Sequence, residues 1–320
     1  MDKYREPTFN FFTSSGLKRH AEKRHDEEWI SRCLSDDNTR ITVVSGLKLL
    51  FSGEPALQAL YFSLKDLGDN QIKPSQFIYL GEKEKLHYFC VDISDSAVII
   101  NSVSKRGHFV ELRSVAPFID REEAAVLAYA RALIFWHKNH KYCGVCGCRT
   151  TPSEAGHKLI CTSPECKTEN FPRTDPAVIM LVEKDGRCLL ARQAKWPRNR
   201  YSTIAGYVEP GESFEQAVER EVLEETGVII GKVKYHSSQP WPFPSAVMVG
   251  FRATAVSDEI NLGDRELEDA KWFSRKEIID SLNEGTLVFP PSISVSFQLI
   301  RDWFDEETPV PLQELITGAK

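Results

Sequence analysis

The chain has 320 residues, 42% of them apolar, and carries 40 Lys and Arg against 46 Asp and Glu for a formal net charge of −6. The length suits two domains better than one, and the acidic balance excludes strong binding to a bare phosphate backbone, which needs clustered Lys and Arg. No apolar run approaches the ~18 residues of a membrane span, Met1–Arg5 carries no signal region and Gly318-Ala-Lys320 is no peroxisomal address, so a soluble intracellular, cytoplasmic protein is expected.

Residues 1–120 read as a mixed α/β region. Ser15–Leu34 is dense in charge around Leu17, Ala21 and Trp29, which suits a surface helix. Strand-like runs follow at Arg40–Val44, Leu47–Phe51, Gln76–Leu80, His87–Ile93 and Ala97–Ile100. No catalytic constellation appears here. His20 and His25 read as solvent-facing, and Cys33 and Cys90 as ordinary thiols. Asp120–His137 then has helical periodicity, with Glu122 and Glu123 in its first turn and His137 and Lys138 in its last, and reads as a connecting helix.

Cys143-Gly-Val-Cys146 and, after fourteen residues, Cys161-Thr-Ser-Pro-Glu-Cys166 have the spacing of two zinc knuckles. Four thiolates around tetrahedral Zn²⁺ leave no open position, so this metal is structural. Cys148 is a rival ligand and His157 a remote one. Ala177–Val182 is an apolar, buried strand, Asp185-Gly186 a hairpin turn and Cys188–Ala191 the returning strand.

Tyr201–Ala205 leads into Gly206–Val228. Gly206 and Gly211 bracket a turn at Glu209-Pro210. Ser213 and Gln216 form a capping box, so a helix starts near Phe214, docks through Phe214, Val218 and Val222, and stops at Gly227. Glu221, Glu224 and Glu225 then share one face. Like charges so placed repel, and a hard cation such as Mg²⁺ relieves this while taking substrate phosphates. Beyond the helix, Ser238-Gln-Pro-Trp-Pro-Phe-Pro244 is a stiff extended segment that cannot sit in a central strand. Leu287–Arg301 reads as a Pro-started helix, and the acidic stretch from Asp305 as a flexible tail.

Gly206, five residues, Glu212, seven residues, then Arg220-Glu221-Val-Leu-Glu224-Glu225-Thr-Gly-Val228 resembles the Nudix box at every fixed position. The resemblance implies that Glu221, Glu224 and Glu225 bind catalytic Mg²⁺ or Mn²⁺. Arg220 would pair with a box carboxylate and brace the loop, Glu212 would belong to the catalytic set, and Glu225, with Glu221 close behind, would be combined ligand and base. Ser238–Pro244 is similar to the signature that marks the NADH pyrophosphatases in this superfamily; it then departs, with Ala246 in place of the final Ser and Ser245 one position early. That likeness implies substrate-binding roles for Gln239, Trp241, Phe243 and Ser245. Tyr207 matches an aromatic that stacks on a base, and Phe171 a second one offered across a homodimer. Asp264–Phe273 resembles the segment supplying a further metal-binding Glu, which is Glu266, with Glu268 the competitor.

The implied organisation is a Nudix-like N-terminal domain over 1–120, the connecting helix over 121–138, a zinc ribbon over 139–172, a catalytic Nudix domain over 173–304 and a tail over 305–320. The fold class is α/β (α+β), a mixed-sheet sandwich with helices. The implied reaction is hydrolysis of the pyrophosphate of NADH or NAD⁺ to nicotinamide mononucleotide and AMP, together with removal of NAD caps from RNA 5′ ends. The competing readings are a Nudix enzyme for ADP-ribose or a dinucleoside polyphosphate, and a non-catalytic nucleotide- or RNA-binding module.

Overall fold

Two six-stranded sheets organise the chain, and they repeat one topology. The structure, a computed structural model, describes residues 10–13, 15–53, 57–68, 72–263 and 266–318. The terminal residues behind the targeting expectations, apart from Gly318, lie outside them, as do Asp264 and Arg265. By contacts the chain forms two compact units. The ribbon unit is Phe12–Thr174 with Trp241–Ser245; the box unit is Met1–Phe11, Asp175–Pro240 and Ala246–Lys320.

The ribbon unit begins with helix α1 (Glu27–Ser35), capped by Asp26, whose carboxylate accepts from the Trp29 N–H. Its sheet comprises β1 (Arg40–Ser45), β2 (Lys48–Phe51), β3 (Tyr61–Phe62), β4 (Ile78–Lys83), β5 (Leu86–Asp92) and β6 (His108–Val110), in the order β4-β5-β1-β2-β6 with β3 also on β1. β1 runs parallel to β5 and antiparallel to β2 and β3. Helices α2 (Ala97–Val103), α3 (Leu112–Val115) and α4 (Arg121–Asn139) complete the sheet region. Strands β7 (Thr150–Ser153), β8 (Lys158–Cys161) and β9 (Glu169–Asn170) then make a separate small sheet.

In the box unit, β10 (Asp175–Lys184), β11 (Arg187–Arg192), β12 (Ile204–Tyr207), β13 (Ile230–Trp241), β14 (Ala246–Ala255) and β15 (Asp269–Ser274) order as β13-β14-β10-β11-β15 with β12 on β10. Each strand stands nine places after its counterpart in the first sheet. β10 is again parallel to one neighbour, β14, and antiparallel to β11 and β12. Both central hairpins close through two residues of positive φ: Gly46 and Leu47 in one, Asp185 and Gly186 in the other. Such turns match the right-handed twist of the strands.

Alternation along β10 divides the box unit's core. Val178, Met180 and Val182 pack on Ala217, Val218 and Val222 of α5 (Phe214–Thr226). Ile179 and Leu181 face a second cluster built from α6 (Arg275–Asn283), α7 (Val295–Asp305) and α8 (Leu312–Gly318). The copies diverge after the third strand. β12 leads into the 13-residue α5, whereas the described residues after β3 make only short 3-10 turns at Lys65–Leu67 and Pro74–Gln76.

Several sequence expectations need correction. Ala97–Ile100 is helical, because the Ser96 side chain accepts from the Ile99 N–H and starts α2. The charged N-terminal stretch holds only a 3-10 turn, Ala21–Lys23, before α1. The last long helix starts at Val295, capped by Ser294, with Pro290 and Pro291 ahead of it. The stretch after Asp305 is no loose tail in its described part, because α8 buries Leu312 beside Trp303 and Phe304. Among the described residues no helix is long and apolar enough to cross a membrane.

Candidate active site and zinc site

β12 pairs with β10 from Ile204 opposite Met180 to Tyr207 opposite Ala177, and so delivers Gly206 and Tyr207 to the loop before α5. The helix starts and stops where expected. Ser213 and Gln216 cap each other, and Gly227 (φ 70°) sends its N–H to the Leu223 carbonyl. Phe214 differs from expectation: it is half-exposed, and Ala217, Val218, Val222 and Thr226 make the buried face.

The Glu221 carboxyl lies against the bare Cα of Gly206. A Cβ there would stand 1.9 Å from the Glu221 Cδ, so any side chain at 206 displaces the carboxylate. Arg220 spends its whole guanidinium on this loop and on the acidic face of α5. Nε donates to Glu212 Oε1 at 2.6 Å and one terminal nitrogen to Glu212 Oε2 at 3.0 Å and the Tyr207 carbonyl at 2.9 Å. The other terminal nitrogen donates to Glu221 Oε1 at 2.9 Å and Glu224 Oε2 at 3.0 Å. The Glu209 N–H adds a 2.9 Å bond to Glu212. Glu212 is therefore held below its ordinary pKa, first by Arg220 and then by that N–H.

Glu221 goes the other way. Burial raises its pKa against the opposing Arg220, and the charges of Glu224 and Glu266 add to the rise. Glu266, though exposed, thus lies near enough for its charge to act on Glu221. Glu225 is 4% exposed. Glu268, the competitor of Glu266, is ion-paired with Arg192. The donor set is all hard carboxylate oxygen with a raised, crowded member, which fits a divalent cation. The carboxylates are not drawn together as a closed cage here, since Arg220 already bridges Glu221 and Glu224.

The remaining expected residues fall in different surroundings. Tyr207 is 58% exposed, its ring free of the core. Gln239 is fully buried. Its amide donates to the Ile293 and Phe11 carbonyls and accepts from the Val295 N–H, so its service to any ligand is to position those segments. Trp241, Phe243, Ser245 and Phe171 belong to the ribbon unit. Trp241 and Phe243 form an edge-to-face trio with Phe12, Arg113 stands over Trp241, and Arg131 stands over Phe243 and donates to the Pro242 carbonyl. Phe171 is exposed beside Lys158. The Gly206 seat, the triple grip of Arg220 and the Gln239 clamp are absent from the sequence reading; each depends on contacts that no local pattern reports.

In the ribbon, the sulfurs of Cys143, Cys146, Cys161 and Cys166 all lie within 4.8 Å of one another. Cys143 to Cys166 is 3.8 Å and Cys146 to Cys161 3.3 Å. A tetrahedron with Zn–S of about 2.3 Å has edges of about 3.8 Å, so the sulfurs fit zinc. The Val145 and Ser163 N–H groups point at the Cys143 and Cys161 sulfurs. Among the described residues this is the one such cluster of ligand atoms. Cys148 is exposed and outside it. His157 is buried with Nε2 2.7 Å from the Tyr79 carbonyl, so it braces the unit and leaves the metal to sulfur.

Family models match three consecutive stretches: an NADH pyrophosphatase-like rudimentary NUDIX domain at 38–136, an NADH pyrophosphatase zinc ribbon domain at 138–171 and a NUDIX domain at 172–290. The chain is 34% identical to the NAD-capped RNA hydrolase NUDT12 of Macaca fascicularis, over 92% of this chain and 73% of that one. This chain belongs to the Nudix hydrolases of the NADH pyrophosphatase type. It is also 42% identical to the NAD-capped RNA hydrolase NudC of Mycobacterium bovis over 61% of this chain and 64% of the relative. With the human NAD(P)H pyrophosphatase NUDT13, mitochondrial, it shares 35% identity over 74% and 73%. The rudimentary domain of this Nudix hydrolase holds the sheet that repeats the box unit's topology, with no counterpart of α5 among the described residues after its third strand.

Two outcomes follow. Gly206→Ala will keep the fold and zinc content while kcat falls about 100-fold, because an ångström of displacement at a reacting group costs that order; steady-state kinetics beside a melting curve checks this. Burial lowers the His157 pKa to about 4 from 6.5. Below pH 6.5 the unfolded chain takes a proton that the folded chain refuses, so stability held above pH 6.5 is lost as pH falls toward 4. The full effect is about 3 kcal/mol. Urea unfolding of wild type and His157→Gln at pH 7 and pH 5 will show a shallower loss in the variant.

Proposed function

We propose that this protein hydrolyses the pyrophosphate bond of NADH and NAD⁺, giving nicotinamide mononucleotide and AMP, and that it removes NAD caps from RNA 5′ ends. The observation that carries this is the braced acidic face: Glu221 seated on Gly206, and Glu212, Glu221 and Glu224 gathered by Arg220. The names of the relatives supply the substrate class.

Glu221, Glu224, Glu225 and Glu266 would hold Mg²⁺ or Mn²⁺, which when bound neutralises phosphate charge and acidifies water. Arg220 keeps the carboxylates spaced before substrate arrives. Glu225 takes the proton of the attacking water while the water oxygen bonds to one phosphorus and the P–O bond of the anhydride breaks. The buried position of Glu225 keeps bulk water from competing for that proton. Tyr207, exposed beside Gly206, offers its ring to a base, a contact worth about 1–3 kcal/mol. Phe171 and Ser245 are read as further substrate contacts, Trp241 and Phe243 as the rigid support of that segment, and Cys143, Cys146, Cys161 and Cys166 as the structural zinc ligands. The domain boundaries, cytoplasmic location and homodimer expected from the sequence belong to this same proposal.

The test is product analysis by mass spectrometry, with protein, NADH and Mg²⁺, and Glu225→Gln beside wild type. AMP and reduced nicotinamide mononucleotide will form with wild type, and at least 1,000-fold more slowly with the variant. Turnover of ADP-ribose or a dinucleoside polyphosphate but not of NADH would overturn the substrate, and near-normal turnover by Glu225→Gln would overturn the assignment of the base.

A further inference from the structure

In the ribbon unit a cavity of about 530 Å³ opens between one face of the sheet and the first turn of α4. Pockets of roughly 300–1,000 Å³ hold small ligands. Arg40, Tyr61 and Tyr88 line it, and strand register explains why they meet. Arg40 stands opposite Tyr88, and Thr42, two residues on, opposite Tyr61, so all three occupy one face. The two tyrosine rings meet edge to face at 5.7 Å, and the Arg40 guanidinium lies 5.6 Å from the Tyr61 centroid. Phe118, 75% exposed, stands at the rim.

The neighbouring charges are already committed. Lys83 pairs with Glu122, and Asp120 accepts from the Glu122 and Glu123 N–H groups. Burial raises the Glu123 pKa, against the opposing pull of the Ala59 N–H and of the Arg40 charge. In contrast, among the described residues the Arg40 guanidinium and the Tyr61 and Tyr88 hydroxyls make no hydrogen bond or ion pair. The equivalent junction in the box sheet is bridged by hydrogen bonds. There Ser202 and Thr203, just before β12, bond Ser296 in the first turn of α7 at 2.8 Å each. In the rudimentary copy the junction holds the cavity, lined with two phenols and a guanidinium.

We propose that this cavity is a second ligand site, specific for a nucleoside monophosphate. Arg40 takes the phosphate through its paired N–H groups, and the Tyr61 and Tyr88 rings take the base. Glu123 accepts from an amino or hydroxyl group. One uncommitted cation opposite a carboxylate suits a single phosphate; a diphosphate or an RNA backbone brings charge that nothing in the cavity meets. The site lies within the ribbon unit.

The experiment is isothermal titration of AMP into the zinc-loaded full chain without Mg²⁺ or Mn²⁺, using wild type, Arg40→Ala, Tyr88→Leu and, as the box control, Glu225→Gln. Saturable binding will weaken at least tenfold in Arg40→Ala and in Tyr88→Leu, and stay unchanged in Glu225→Gln. ADP and pyrophosphate will bind more weakly than AMP, and Arg40→Ala will turn over NADH at the wild-type rate. Absence of AMP binding to wild type, equal binding by wild type and Arg40→Ala, or loss of binding only in Glu225→Gln would overturn the proposal. Melting curves identify a variant that has not folded, and the other ribbon variant then carries the comparison.

Discussion

One guanidinium holds the active site in shape. Glu212, Glu221 and Glu224 would repel one another on a loop and one helix face. Arg220 answers that repulsion with five donors, four to carboxylate and one to the Tyr207 carbonyl. The planar fork matters, because an ammonium could not reach three carboxylates and a carbonyl from one position. Glu221 is confined further by its seat on Gly206, and burial keeps its carboxyl readier to accept a proton than a solvated one. The acidic face is therefore braced by the loop's own hydrogen bonds.

The two sheets show how one topology serves two purposes. In the box unit, the crossing from β12 runs into a capped helix whose apolar face docks on Val178 and Met180 and whose acidic face stays free. In the ribbon unit the described residues of the same crossing from β3 make only short turns, with no counterpart of the acidic helix face among them. What persists is the sheet, its type of hairpin turn and the helix packed across the central strands. The zinc ribbon adds a closed, sulfur-only site where a chain of short strands lacks the core to hold itself.

Features encoded within a few residues were legible in the sequence. The Ser213–Gln216 box, the Gly227 stop, the Asp185-Gly186 turn and the paired cysteines all act over one turn of chain, so spacing alone carries them. Ala97–Ile100 has strand-like composition, and the Ser96 hydroxyl starts a helix in spite of it. The signature residues were legible as a motif but not as geometry. Gln239 is buried against Ile293 and Val295, more than fifty residues away, and Trp241 and Phe243 pack on Phe12. The Arg40 cavity arises from register between β1, β3 and β5, which no single run of sequence displays.

The most direct test of this account is the turnover of NADH by Arg220→Lys, measured with zinc content and the melting curve alongside. A charge is kept and the fork is lost. The account predicts a fold and zinc content like those of wild type with kcat reduced about 10- to 100-fold, since lost orientation at the reacting groups costs that order. Wild-type turnover by the lysine variant would contradict it, and would mean that the carboxylates find their places without the guanidinium.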